Sequence, residues 1–185
     1  ALSEVAGELV RNGVEAEIFH AVPGAVHGCT ACRHCDKTDR CVFDDDRVNE
    51  AIDKLAAADG LVIGAPVYYA SPNGAILSFL DRLFYTGGGK VAYKPGAAVV
   101  SARRAGTTAS LDVLQKYFLI SNMPVVPSQY WCMVHGNTPE EVQRDEEGLQ
   151  TMRTLGRNMA WMLKCFEGKE KPRMTEERKR TNFIR

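Results

Sequence analysis

No apolar run in this chain approaches the roughly 18 to 20 residues that a bilayer span needs, and no charged, then apolar, then small-residue leader opens it. That reading argues against a membrane role or export and makes the cytoplasm the expected location. Net charge is lacking as well, because 23 Lys and Arg balance 23 Asp and Glu. A molecule without a positive field gathers no polyanion, so nucleic acid is not an expected partner. Repeats, low-complexity tracts and linkers are missing, and 185 residues suit one compact domain. No Ser-His-Asp or Cys-His motif stands out, so no protein nucleophile or general base is assigned.

The apolar residues are ordinary in number but orderly in spacing. Ala1 to Asn12 is expected to form a helix closed by Gly13, and the alternation of Val14, Ala16 and Ile18 predicts a strand. Asp44 to Asp46 can cap a helix with Val48, Ala51, Ile52 and Leu55 on one face. Leu61 to Gly64 and Ala97 to Val100 are short continuous apolar runs, as in parallel strands covered on both faces. Between them Ile76, Leu77, Leu80, Leu83 and Phe84 keep helical spacing up to the breaker Gly87-Gly88-Gly89. Leu111, Leu114 and Phe118 mark a further helix, Pro124 to Val126 a last short strand, and Pro139 to about Phe166 one long closing helix. Strands alternating with helices mean parallel pairing, hence an α/β, doubly wound, three-layer α/β/α sheet. The domain is expected over residues 1–168, with a basic tail over 169–185 read as solvated or packed on a partner. Such sheets bind ligands in loops beyond the carboxyl ends of their strands, here after Phe19, Gly64 and Val100.

Cysteine is unevenly placed. Cys29-x2-Cys32-x2-Cys35-x5-Cys41 crowds four of the six into the first of those loops, while Cys132 and Cys165 stand alone and are expected to be buried free thiols. A disulfide scaffold is not needed at this length. Thiolate sulfur suits iron–sulfur clusters or zinc, but zinc normally takes two separated Cys-x2-Cys pairs. The first two spacings are like those of ferredoxin cluster loops, although the third differs and no proline follows it. Reduced thiols packing the loop, or a reversible disulfide, remain open alternatives. His34 reads as a surface residue, and Asp44, Asp45 and Asp46 as the acidic start of a helix rather than metal ligands.

After Gly64 come Ala65, Pro66, Val67, Tyr68, Tyr69, Ala70, Ser71, Pro72, Asn73 and Gly74, then a helix carrying Phe79-Leu80-Asp81-Arg82. Adjacent phenol rings, rigid prolines and amides at a helix start offer walls and donors to a flat polar ring; alone, such a pair is more often packing. The Gly-x-Pro-Val-Tyr-x5-Gly stretch followed by Phe-Leu-Asp-Arg resembles the flavin-ring loop of the NAD(P)H-dependent FMN reductase family, within the flavodoxin-like fold. The resemblance runs from Ala1 to about Phe166. It implies that FMN is held by Pro66, Val67, Tyr68, Tyr69, Ala70, Ser71, Asn73 and Gly74, and by a second loop with Ser101, Ala102, Arg103, Arg104 and Gly106. An arginine and amides there would stabilise negative charge on the reduced ring. Pro124 to Gly136, with Tyr130, Trp131 and His135, also resembles a segment of relatives and offers either pocket lining or core.

Several further expectations follow from the resemblance. The family's first strand and phosphate loop would precede Ala1, so a segment of about twenty residues is expected to be missing and no phosphate ligand is assigned. The cysteine spacing is similar to that of the iron–sulfur flavoprotein branch, which implies, as the alternative to an FMN reductase without a cluster, Cys29, Cys32, Cys35 and Cys41 as ligands of a 4Fe-4S cluster; FMN reductase relatives with no cluster carry a similar cysteine-rich loop. Electrons would come from NAD(P)H and leave to a quinone, a flavin, another small acceptor or a protein such as a ferredoxin. A non-catalytic flavin-binding module is the remaining alternative. The resemblance also implies a homodimer or homotetramer.

Overall fold

The computed structural model describes residues 1–173, 175–177, 179, 181 and 183. In chain order its elements are α1 (Leu2–Arg11), α2 (Cys35–Thr38), α3 (Val48–Ala57), β1 (Leu61–Tyr68), β2 (Ser71–Pro72), α4 (Gly74–Gly87), β3 (Gly96–Ala102), α5 (Thr107–Ile120), β4 (Met133–His135), α6 (Pro139–Val142) and α7 (Glu146–Phe166). The sheet order is β2-β1-β3-β4. β3 lies between β1 and β4 and runs parallel to both, Leu61 standing opposite Gly96 and Ala102 opposite His135. Among the described residues only the two-residue β2 is antiparallel, folded back on the end of β1.

Helices cover the sheet in two layers, giving the flavodoxin-like three-layer arrangement. On one side α1 packs on α7, bridged by Arg153 to Glu4 at 3.2 Å and Arg157 to Glu8 at 3.4 Å. Gly156 lets the two helices approach, since a Cβ there would lie 2.7 Å from Glu8 Cβ and 2.9 Å from the Val5 carbonyl. On the other side α3 packs on α4, and α4 meets α5 through Phe84, Tyr117 and Phe118. The core between them contains the predicted apolar faces: Val48, Ala51, Ile52 and Leu55 of α3, Leu80 and Leu83 of α4, and Leu111, Leu114 and Phe118 of α5.

Three expected elements turn out differently. Residues 14–20 make no strand. Alternation supplies a face, but a strand also needs a hydrogen-bonded neighbour, and this segment is tied to α3 by side chains instead: Glu17 to Lys54, and Phe19 under the Arg47 guanidinium at 3.9 Å. Pro124 to Val126 contributes a single bridge, Val125 to Gly96, before the chain leaves the sheet and returns as β4. The closing helix is two helices. Thr138 caps α6, and Asp145 accepts from Gly148 N–H at 2.9 Å to start α7 anew. The helix periodicity ends at Phe166 as expected; of the expected tail, Met174, Arg178, Arg180, Asn182, Ile184 and Arg185 lie outside the described residues. Among the described residues no helix is long and apolar enough to cross a membrane.

Candidate functional site

The carboxyl end of β1 is built around a tight reversal. Tyr68 pairs with Ser71, leaving Tyr69 and Ala70 as a two-residue turn in which both residues have positive φ, 52° and 58°. Such hairpin turns normally employ Asn and Gly, and each non-glycine residue held there costs roughly 1 to 2 kcal/mol. The turn leaves Tyr68 exposed and Tyr69 wholly in solvent. Asn73 closes the loop, its N–H donating to the Pro66 carbonyl at 3.1 Å, and its side chain caps α4 by accepting from Ile76 N–H. That side chain is therefore engaged, while Gly74 is exposed at the helix start.

The loop after β3 lies directly against this turn. Gly106 has φ 90°, and a Cβ on it would stand 2.4 Å from the Ala70 Cα and 3.1 Å from Val67 Cγ1. Glycine is thus required twice over, by its dihedral and by the contact. Arg103 and Arg104 project into solvent beside it, Ser101 is half-buried and the Ala102 side chain is buried. β4 adds a third wall, since the Gly136 N–H donates to the Ala102 carbonyl at 3.1 Å. Tyr130 and Trp131 pack edge to face at 4.6 Å and are both exposed, so Trp131 is not a core residue. The fold therefore brings all thirteen residues expected around a ring to one edge of the sheet, with exposed phenols and two guanidinium groups. These features suit a flat, polar, anionic-edged ring such as a flavin.

The second site lies on α3 and α4. Cys29, Cys32, Cys35 and Cys41 all line one small cavity of about 30 Å³, open to solvent and walled by Phe43, Arg82, Tyr85 and Thr86. Cys29 and Cys32 are exposed, Cys35 and Cys41 half-buried. Ala31 and Arg33, on either side of Cys32, both have positive φ. Among the described residues no three Cys, His, Asp or Glu side chains are close enough together to hold one metal ion. The four thiols thus line one cavity without being gathered around a single point.

Three buried polar residues hold that loop, and the sequence reading did not single out their roles. Arg82 is 1% exposed. It forms an ion pair with Asp46 and donates to the carbonyls of His27 and Phe43 and to the Cys41 Sγ. Asn49 accepts from the Cys41 N–H at 2.9 Å and donates to the carbonyls of Cys41 and Phe43. Asp46 thus serves Arg82 first and the start of α3 only in passing, through the Val48 N–H. The signal was available: Arg82 falls on the same helical face as Phe79 and Leu83, where a charge needs a partner. His34 is exposed as expected. Cys132 is buried, and burial pushes its thiol up to about 11; Cys165 is exposed near the end of α7, contrary to expectation.

Comparison with known proteins places the chain among flavoproteins. The family described as NADPH-dependent FMN reductase matches residues 1–138. An iron-sulfur flavoprotein of Methanocaldococcus jannaschii is 28% identical over 89% of this chain and 89% of its own. One of Methanosarcina thermophila is 29% identical over 90% and 86%. Among solved structures, a flavodoxin from the domain Archaea superposes with a TM-score of 0.57 at 14% identity, covering 88% of this chain and 87% of that one.

Proposed function

This chain belongs to the NADPH-dependent FMN reductase family, and from that premise we propose that it is an iron–sulfur flavoprotein that moves electrons between a reduced nicotinamide and a second acceptor. The observation that carries the reading is the convergence of Cys29, Cys32, Cys35 and Cys41 on one cavity in a chain that also presents an aromatic ring loop. When bound, FMN would supply two-electron chemistry and a 4Fe-4S cluster one-electron exchange; the protein supplies position and electrostatics. Pro66 to Asn73 and Ser101 to Gly106 would hold the ring, Tyr68 and Tyr69 against its faces, Arg103 or Arg104 and backbone amides at its polar edge. The exposure of Tyr68 and Tyr69 leaves room for a nicotinamide or a small acceptor to stack there in turn. The four thiolates would hold the cluster. The resemblance to relatives supports a homodimer or homotetramer.

A second reading, a reductase without a cluster that passes electrons to quinones or flavins, is favoured by the openness of the ring loop alone. Anaerobic purification followed by iron, acid-labile sulfide and flavin analysis separates the two. The iron–sulfur reading expects about four iron, four sulfide and one FMN per chain, together with NAD(P)H oxidation once an acceptor is supplied. Flavin with no iron leaves only the second reading, and a colourless protein that takes up no FMN defeats both.

A further inference from the structure

Arg82 does more at the cysteine cavity than anchor a loop. All five of its N–H donors have acceptors: the Nη groups reach Asp46 and the carbonyls of His27 and Phe43, and Nε–H points at the Cys41 Sγ, 3.1 Å away. Four of these bonds end on oxygen, and the fifth ends on sulfur. A neutral thiol accepts poorly, whereas a ligand thiolate carries negative charge and accepts strongly. The arrangement singles out one cysteine. Among the described residues no comparable side-chain donor reaches Cys29, Cys32 or Cys35, and the nearby Arg33 is turned to Asp36 instead.

We propose that Arg82 is a positioning residue for one ligand of the cluster, fixing the Cys41 sulfur and drawing charge from it. The cluster is thereby held at a less negative reduction potential than the same four cysteines would give alone. Hydrogen bonds to ligand sulfur stabilise the more negative, reduced state, and burial at 1% exposure keeps water from screening this one. Lysine at position 82 would keep the charge but lose the planar fork, and cannot serve Asp46 and the sulfur together. This inference rests on the iron–sulfur reading above.

The test is a redox titration of the cluster in wild-type and Arg82→Lys protein, both purified without air. The midpoint should move to more negative potential by about a tenfold loss of preference for the reduced form, about 59 mV for one electron. Loss of iron from an Arg82→Lys chain whose far-ultraviolet circular dichroism is native supports the proposal equally, and an unchanged midpoint in a loaded variant overturns it. A second measurement needs no buried substitution: with isotope-labelled arginine nitrogen, pulsed electron paramagnetic resonance of the reduced wild-type cluster should detect a guanidinium coupling that survives Arg33→Lys. Absence of that coupling overturns the proposal whether or not Arg82→Lys folds. A wild-type chain that binds neither iron nor sulfide ends the cluster reading and this inference together, whereas a loaded chain showing neither effect ends this inference alone.

Discussion

Tyr69 stands in solvent on a left-handed backbone, an arrangement with no packing benefit to offset its strain. Strain of this kind clusters where a side chain must be presented to a ligand. Replacing Tyr68 or Tyr69 with Ala should weaken FMN binding roughly two- to tenfold, the worth of one stacked ring of roughly 0.5 to 1.5 kcal/mol. Flavin fluorescence titration measures it, and an unaltered affinity in both variants would remove the ring assignment. Gly106→Ala should be harsher. It combines roughly 1 to 2 kcal/mol of dihedral strain with a clash on Ala70, so a lower thermal midpoint and a displaced ring loop are expected. The tyrosine pair was legible in the sequence because adjacent aromatics ahead of a helix are a local pattern. The burial of Arg82 could be read from its place on the apolar face of its helix, but its pairing with Asp46 could not, because the partners lie 36 residues apart.

Among the elements, the contact of α1 with α7 and the anchoring of the cysteine loop on α3 depend on single residues. Gly156→Val would push a branched side chain into Glu8 and the Val5 carbonyl, and overpacking of this kind costs roughly 1 to 3 kcal/mol. A lower urea midpoint with an unchanged slope would register it. Asn49→Ala would leave the Cys41 amide and two carbonyls short of their partners, at roughly 1 to 3 kcal/mol for the buried groups. Its mark should be faster amide hydrogen exchange over residues 40–44 with the sheet still protected. Helix faces were readable because they repeat every three to four residues. The break between α6 and α7 was not, since Gln143 and Arg144 suit a helix surface as well as a turn, and the side chain of Asp145 decides the restart.

Over the whole molecule, stability should fall on the alkaline side. Burial raises the Cys132 thiol from 9.0 to about 11, so the folded chain keeps a proton that the unfolded chain releases. Its contribution is fully present below about pH 9 and is lost as pH rises through about 11, on the order of 2 kcal/mol in total. Tyr117 acts in the same direction at higher pH, raised by burial and by its hydrogen bond to the Asp81 carboxylate. Urea midpoints should therefore decline between about pH 9 and 11, and Cys132→Ala should flatten that decline. An equal decline in the variant would assign the effect to other groups.

What the amino-acid order determined by itself was whatever repeats or clusters locally: the helix faces, the apolar strands, their alternation, the tyrosine loop and the density of thiols. Tertiary structure alone decided that residues 14–20 find no strand partner, that the loops after β1 and β3 touch through Gly106 and Ala70, and that four cysteines share a cavity with Arg82. The physical reason is one of range. Periodicity is written within a turn of helix or a few residues of strand, whereas a buried charge and its acceptors are matched across the chain and become visible only when water has been excluded around them.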